Sequence, residues 1–273
     1  MLRLLKFGFL FMAAALGYAK PSAPFLVLDG KPNDLLPKRF RVIDSRGLKA
    51  IASGQFSERQ LVYIKNQLNE PVVIIDLRQE SHGFVNGYPV SWYAAKNQAN
   101  LHKPQETIQA EEQRLLSSLA DKKSLLIEEI KAKSKSGEIQ TRPLFTLKPE
   151  RIESEQALAA RLGFGYKRFY VTDHRPPTKS QVHELQEFIS TVPEDTWIYF
   201  HCRGGSGRTT AFVLLYDIFK NGQSLPLSAL FKLHHEKGGK DLRLLPEKKS
   251  YQYQDAVKRL RLIEEIYVNS HQA

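Results

Sequence analysis

The 273-residue chain contains one cysteine, Cys202, two methionines and two tryptophans. A lone thiol excludes an internal disulfide framework and leaves a single sulfur open to oxidation. Long hydrophobic runs are also missing. The most extended, Phe7 to Leu16, is too short to cross a bilayer, and no later segment is long enough. No internal repeat and no metal-ligand spacing are present; the eight histidines are scattered or, at His234 and His235, adjacent. Acids are scarce relative to bases: 40 Lys+Arg face 29 Asp+Glu, a net charge of +11. Such a field draws anions toward a cleft. A nucleic-acid partner would require basic residues on one face or interleaved stacking aromatics, and neither pattern stands out. A hydrophobic content of 42% suffices for an ordinary core in a single domain.

The first residues read as a leader. Arg3 and Lys6 precede the apolar run, and Gly17-Tyr18-Ala19 places small residues where a signal peptidase reads. The expectation is a signal peptide over 1–19, cleaved after Ala19, and a periplasmic or secreted product. Residues 20–35 are dotted with prolines and are expected to drape over the surface. The main domain is expected to span 36–273.

Chemistry concentrates in His201-Cys202-Arg203-Gly204-Gly205-Ser206-Gly207-Arg208-Thr209. A thiol and an arginine six residues apart, joined by a glycine-rich loop, can hold and attack a phosphate. Backbone N–H groups of such a loop form an anion nest, most easily where glycines permit positive φ. A following helix adds the favourable end of its dipole. The flanks fit: Thr196 to Cys202 is aromatic and β-branched like a buried strand, and Thr209 to Lys220 has helical apolar spacing before Asn221-Gly222. The loop amides, the helix end and a nearby cation favour the thiolate, which is the attacking form. Arg208 offers a planar fork for two phosphoryl oxygens. Thr209 has a hydroxyl to donate to the sulfur, and His201 is placed to fix the start of the loop. The alternative is a buried, inert cysteine beside an unrelated arginine.

A leaving alkoxide needs a proton donor. Lys167 to Thr172 reads as a strand, and Asp173-His-Arg-Pro-Pro177 must leave it as a turn. Thr178 and Gln181 then form a capping box for a helix with apolar positions 182, 185, 188 and 189. An aspartate at a strand's C-terminal end lies on the sheet edge that carries the phosphate loop, so Asp173 is the candidate general acid. Its bland reading is a turn residue. His174 is either a substrate contact or a solvated turn side chain.

Val72 to Leu77 is a continuous apolar run interrupted only by Asp76, as in a strand buried on both faces. Asp76 and Arg78 are expected to brace the phosphate loop as a paired set, because charges near a core must be paired. Glu80 is expected to reach substrate.

Three strings together resemble the protein-tyrosine-phosphatase-like phytases, cysteine-dependent inositol polyphosphate phosphatases of bacteria. They are the phosphate loop, Thr172-Asp173-His174, and Asp76-Leu-Arg-Gln-Glu-Ser-His-Gly83 with Asn86-Gly87 and Val90-Ser-Trp-Tyr93. Leu36-Pro-Lys-Arg-Phe-Arg41 and Ser53-Gly-Gln-Phe-Ser57 fit as well. The resemblance implies an α/β cysteine-phosphatase fold: a mostly parallel central sheet, helices on both faces and a small inserted β element. It also implies stepwise dephosphorylation of phytate through a phosphocysteine, without a cofactor or metal. Cys202 would be the nucleophile, Arg208 the phosphate-binding arginine and Asp173 the acid. Arg41, Glu80, His174 and Lys248 fall on positions that resemble substrate contacts, with Lys133 and Arg259 alongside. Two departures make the site more positive. Asn97-Gln-Ala-Asn100 stands where the family often has Asp-Trp-Ala-Asn, and Arg203 replaces an acidic residue found after the cysteine in some members. The alternatives are a phosphotyrosine phosphatase with the same chemistry, or a weakly catalytic inositol-phosphate-binding protein.

Among the remaining segments, Thr107 to Leu119 reads as an amphipathic helix, and Leu125 to Ile130 is strand or helix. Lys131 to Gly137 is a basic turn, either a solvated hairpin tip or a substrate contact. Lys237 to Lys249, with Gly238-Gly239 at its start, is a candidate wall of the cleft. Gln252 to His271 is the closing helix.

Overall fold

The computed structural model describes residues 24–222 and 224–270, so the expected leader lies outside the described residues. In chain order the strands are β1 (Phe25–Leu28), β2 (Arg41–Ser45), β3 (Leu48–Ser53), β4 (Val72–Asp76), β5 (His82–Val85), β6 (Tyr88–Tyr93), β7 (Leu125–Lys133), β8 (Ile139–Leu147), β9 (Ile152–Glu153), β10 (Gly165–Arg168) and β11 (Trp197–His201). The helices are α1 (Glu58–Lys65), α2 (Gln105–Ala120), α3 (Glu155–Arg161), α4 (Lys179–Thr191), α5 (Gly207–Asn221), α6 (Leu227–Glu236) and α7 (Tyr253–Asn269).

The central sheet is five-stranded, in the order β10-β4-β11-β3-β2. Its first four strands run parallel, and β2 pairs antiparallel with β3. Strands β4 and β11 are the apolar runs read from the sequence, and both are paired along both edges. Helices α4, α5, α6 and α7 pack one face around Phe200, Phe212 and Leu214. Helices α1 and α3 cover the other face around Ile74 and Tyr199. Parallel strands deliver their C-terminal ends to one edge. In register, His201 sits beside Asp76, so Cys202 and Arg78 both emerge from that edge.

Strand β10 ends four residues earlier than its sequence suggests. Tyr170 takes a φ of 48°, which turns the chain out of the ladder, and Phe169 keeps one bond by donating its N–H to the Asp76 carbonyl at 2.9 Å. Residues 169–172 then run as irregular chain to the Asp173 turn. The capping box at Thr178 and Gln181 forms as expected.

The inserted β element is larger than expected: a six-stranded sheet in the order β8-β7-β1-β6-β5-β9, with α2 against it. The segment 125–130 resolves as strand, and Lys131 to Gly137 ends a long hairpin. Residues 20–35 are not a surface drape where they are described. Phe25-Leu-Val-Leu28 forms β1, an interior strand antiparallel to β6 and parallel to β7, and Val27 is fully buried. The prolines bracket this run without entering it, so they remove no ladder donor. The domain therefore starts before residue 36. No described helix is long and apolar enough to cross a membrane.

The placement of β1 is testable. Val27→Asp would bury an unpaired charge between two strands, costing about 3 kcal/mol or more. Thermal melting should fall by roughly 6–12 °C. An unchanged melting temperature would return this segment to the surface.

Candidate active site

The loop between β11 and α5 is shaped by close backbone packing. Gly205 has a φ of +66°, and a Cβ there would lie 2.3 Å from the Gly54 nitrogen, so no larger residue fits. The loop carbonyls are used outside the loop. Gln55 donates its N–H to the Arg203 carbonyl at 3.1 Å, Arg39 Nη1 donates to Gly204 at 2.8 Å, and Arg41 Nη1 to Gly205 at 3.2 Å. With its carbonyls engaged, the loop offers its N–H groups to a cavity of about 200 Å³, at the N-terminus of α5. Cys202 lies at the cavity, only 4% exposed, and the Thr209 hydroxyl donates to its Sγ at 3.1 Å.

Arg208 is fixed from behind. Its Nη1 and Nη2 donate to Glu80 Oε2 and Oε1 at 2.7 and 2.9 Å, and Nη1 also reaches the Val171 and Leu77 carbonyls. Its Nε is buried without a protein partner, an N–H left for a ligand in the cavity that Arg208 lines. The support continues inward. Arg78 Nε donates to Glu80 at 3.0 Å and Nη1 pairs with Asp29 Oδ2 at 2.8 Å, while Arg203 Nε donates to Asp29 Oδ1 at 2.6 Å. Charges thus alternate along Arg208, Glu80, Arg78, Asp29 and Arg203. Burial pushes the Glu80 carboxyl up, but Arg208 and Arg78 outweigh it and hold the group well below the usual carboxylate range. Glu80 is 1% exposed and serves Arg208, which corrects the expectation that it reaches substrate.

A second buried cluster braces the loop's start, as expected of Asp76. This carboxylate accepts the Arg78 N–H at 2.8 Å and the Tyr166 hydroxyl at 2.8 Å, and pairs with Arg168 at 3.1 Å. His201 Nε2 lies 2.5 Å from Glu155, which also accepts from Gln55. Asp76, Glu155 and His201 bring metal-ligand atoms within 4.8 Å of one another, a juxtaposition invisible in the sequence. These three lie behind the phosphate loop and do not line the cavity.

Asp173 lines the same cavity as Cys202. Its Oδ1 lies 3.2 Å from Arg208 Nη2 and accepts the His174 N–H at 2.9 Å; Oδ2 accepts from Asn97 Nδ2 at 2.9 Å. Gln98 holds the Asp173 carbonyl, also at 2.9 Å. Burial pushes the Asp173 carboxyl up, but Arg208, His174 and the Asn97 amide together hold it below the ordinary range. The carboxylate is therefore the resting form at neutral pH. A phosphate dianion against Arg208 would offset that guanidinium's field and favour protonation. His174 has a φ of 68° and lies 3.2 Å from the Tyr251 hydroxyl. Burial pushes its imidazolium down despite Asp173.

Of the other expected contacts, Arg203, Gly204, Ser206, Gly207, His174, Lys133 and Arg259 line the cavity. Lys133 and Arg203 both lie over the Tyr93 ring, at 4.7 and 4.6 Å. Arg41 and Lys248 are corrections. Arg41 is 6% exposed and spends its donors on Gly205, Arg39 and Thr210, so it braces the loop from outside. Lys248 sits on an exposed turn away from the cavity wall. Lys240, within the basic stretch 237–249 expected to form a wall of the cleft, lines the cavity, and so does Gln252 at the start of the closing helix. A larger cavity of about 370 Å³, beside the β2–β3 turn, mixes Arg46, Lys49 and Lys220 with Asp44 and Glu194, and no thiol is among its lining residues.

The Asn97 contact sets a pH dependence. As the candidate general acid, Asp173 must be protonated to act, so kcat/KM is expected to fall as pH rises past its pKa. Asn97→Asp keeps a residue tolerant of its φ of 59°, but replaces a donor to the carboxylate by a like charge. The Asp173 pKa should rise, moving the alkaline limb of kcat/KM for an aryl phosphate to higher pH. A limb that stays in place or moves down would separate Asn97 from the acid.

Comparison with known proteins follows the same lines. Residues 75–220 match the family model PTPlike_phytase, described by inositol hexakisphosphate. The effector protein hopD2 of Pseudomonas syringae pv. tomato is 31% identical over 156 residues, covering 56% of this chain and 33% of that protein. The tandemly repeated protein tyrosine phosphatase like phytase of Mitsuokella multacida superposes with a TM-score of 0.80 at 27% identity, over 92% of this chain and 46% of that one. The same figures hold for the PTP-like myo-inositol phosphatase of that organism in complex with myo-inositol-(1,3,4,5)-tetrakisphosphate. The chain thus spans less than half the length of these relatives. A PTP-like phytase from Bdellovibrio bacteriovorus matches at 30% identity and a TM-score of 0.72, over 92% of both chains. With the family model covering more than half of the sequence and this last relative matched along nearly its whole length, the chain belongs to the PTP-like phytase family.

Proposed function

We propose that this protein hydrolyses phosphomonoesters of myo-inositol polyphosphates, phytate first among them, through a phosphocysteine on Cys202. The observation that carries the reading is the cavity wall. Around Cys202 stand Lys133, Arg203, Lys240 and Arg259 beside Arg208, and Asp173 is the one carboxylate among the lining residues. A phosphotyrosine site needs an aromatic-walled slot for one dianion. Apart from His174, no ring lines this cavity. The bound inositol tetrakisphosphate of the Mitsuokella phosphatase supports the same substrate class.

The chemistry follows from the placement of the groups. The scissile phosphate sits on the loop amides with its oxygens at the free Nε of Arg208. Cys202 Sγ attacks phosphorus, the bond to the inositol oxygen breaks, and Asp173 delivers its proton to that oxygen. In the second step water attacks the phosphocysteine, and Asp173, now a carboxylate, takes the water's proton. The S–P bond breaks, inorganic phosphate leaves, and the thiolate is restored with the Thr209 hydroxyl donating to it. The loop amides and Arg208 meet the charge that builds on the equatorial oxygens, in positions set before substrate arrives.

Three measurements test this. Cys202→Ser should abolish turnover while retaining phytate binding. Asp173→Asn should lower phytate hydrolysis by about two to four orders of magnitude, and the hydrolysis of an aryl phosphate with a good leaving group by less. Wild-type kcat/KM should be higher for phytate than for a phosphotyrosyl peptide. The reverse preference would establish the tyrosine-phosphatase reading, and substantial turnover by Cys202→Ser would remove the cysteine mechanism altogether.

A further inference from the structure

Lys240 stands in the cavity wall through a rigid connection to the phosphate loop. Helix α6 ends at Glu236, and the chain turns through Gly238 at a φ of +92°. A Cβ on Gly239 would lie 2.6 Å from the His234 carbonyl and 3.1 Å from Thr210 Cγ2, so glycine lets the backbone press against α5. The next residue, Lys240, donates its N–H to Thr210 Oγ1 at 3.1 Å. Thr210 is in the first turn of α5, two residues after Arg208. Helix α6 is itself tied to α5, through His234 Nε2 and Asp217 Oδ2 at 2.8 Å, both buried. The base of the Lys240 side chain is therefore fixed relative to the nucleophile.

The ammonium has no carboxylate partner within ion-pair reach among the described residues, although Lys240 is only partly exposed. Its charged neighbours are cations: burial pushes its pKa down, and Arg259 and Arg39 push it further. Arg259 is 5% exposed, makes no direct ion pair among the described residues although the charges of Asp255 and Asp173 act on it, and has a buried Nε without a partner. Two neighbouring cations in a partly buried wall, neither in a direct ion pair among the described residues, favour an anion that completes the set. The rest of this basic stretch differs. Arg243 is paired with Asp241, and Lys237 and Lys248 are exposed outside the cavity. The reacting phosphate already has the loop amides and Arg208.

We infer that Lys240 is a further substrate-contacting residue, holding with Arg259 a second phosphate of the molecule whose first phosphate is being cleaved. The inference rests on the reading of this site as an inositol polyphosphate hydrolase and adds a determinant of its preference for highly phosphorylated rings. A monophosphate gains little from Lys240, whereas a polyphosphate loses one charged contact when it is removed.

The experiment compares wild type, Lys240→Gln, Lys240→Arg and Lys237→Ala on phytate and on an aryl phosphate. Glutamine keeps the backbone N–H that Thr210 accepts and removes only the charge, so the fold is spared. Lys240→Gln should raise KM for phytate by about 10- to 100-fold, the range of one hydrogen bond to a charged group. Its kcat should move far less, and the ratio of kcat/KM for phytate to that for the aryl phosphate should fall by at least about tenfold. Lys240→Arg should recover most of that ratio, and Lys237→Ala should match wild type. If wild type cleaves phytate and Lys240→Gln leaves the ratio unchanged, Lys240 makes no such contact and the functional reading stands. If wild type fails to cleave phytate, the functional reading and this inference fall together, before any variant is compared.

Discussion

Arg208 can grip a phosphate only if something holds its other edge, and in this protein that support is Glu80. The carboxylate takes both terminal nitrogens of the guanidinium and leaves Nε free. A carboxylate buried to 1% exposure cannot stand alone. Arg78 balances it, Asp29 balances Arg78, and Arg203 closes the series at the cavity rim. Each charge is tolerable because the next has the opposite sign. Removing one member leaves its neighbours buried and uncompensated, which costs more than the pair contributed. The ladder also explains why the two sheets act as one site. Arg78 and Glu80 follow a strand of the central sheet, whereas Asp29 follows β1 of the other.

The loop is held by a different principle. Its carbonyls are claimed by Gln55, Arg39 and Arg41, and Gly205 lies against Gly54 with no room for a side chain. These contacts set the nest before substrate arrives, so little reorganisation is left for the reaction itself. Arg41 belongs to this frame: buried, it holds the loop backbone through Gly205 and the start of α5 through Thr210. Asp173 is held differently again, by Asn97 and Gln98 on the turn after β6, and the Asn97 amide also stabilises its charged form.

Much of this was legible in the sequence, because it is local. Strand, glycine loop and helix from Trp197 to Asn221 follow one another without a break, and the Thr178 capping box announces α4 just after the acid loop. The sequence is less informative where long-range pairing decides. Phe25 to Leu28 is too short a run, among too many prolines, to reveal that β6 and β7 flank it. Glu80 and Arg41 have the side chains of ligand contacts, and only burial shows that protein groups already occupy them. The reach of Lys240 depends on two glycines folding back on Thr210, which spacing alone does not report. Tyr170 ends β10 through a backbone angle that its side chain does not advertise.

The account therefore turns on the Glu80–Arg208 pair, and Glu80→Gln tests it most directly. Glutamine has nearly the shape of glutamate but leaves Arg208 and Arg78 without the charge between them. The expected result is a folded protein whose kcat/KM for an aryl phosphate falls by about 10- to 100-fold, the scale of a lost charged hydrogen bond. A folded Glu80→Gln protein with wild-type kcat/KM would show that Arg208 needs no such support, and the ladder would lose its place in the mechanism.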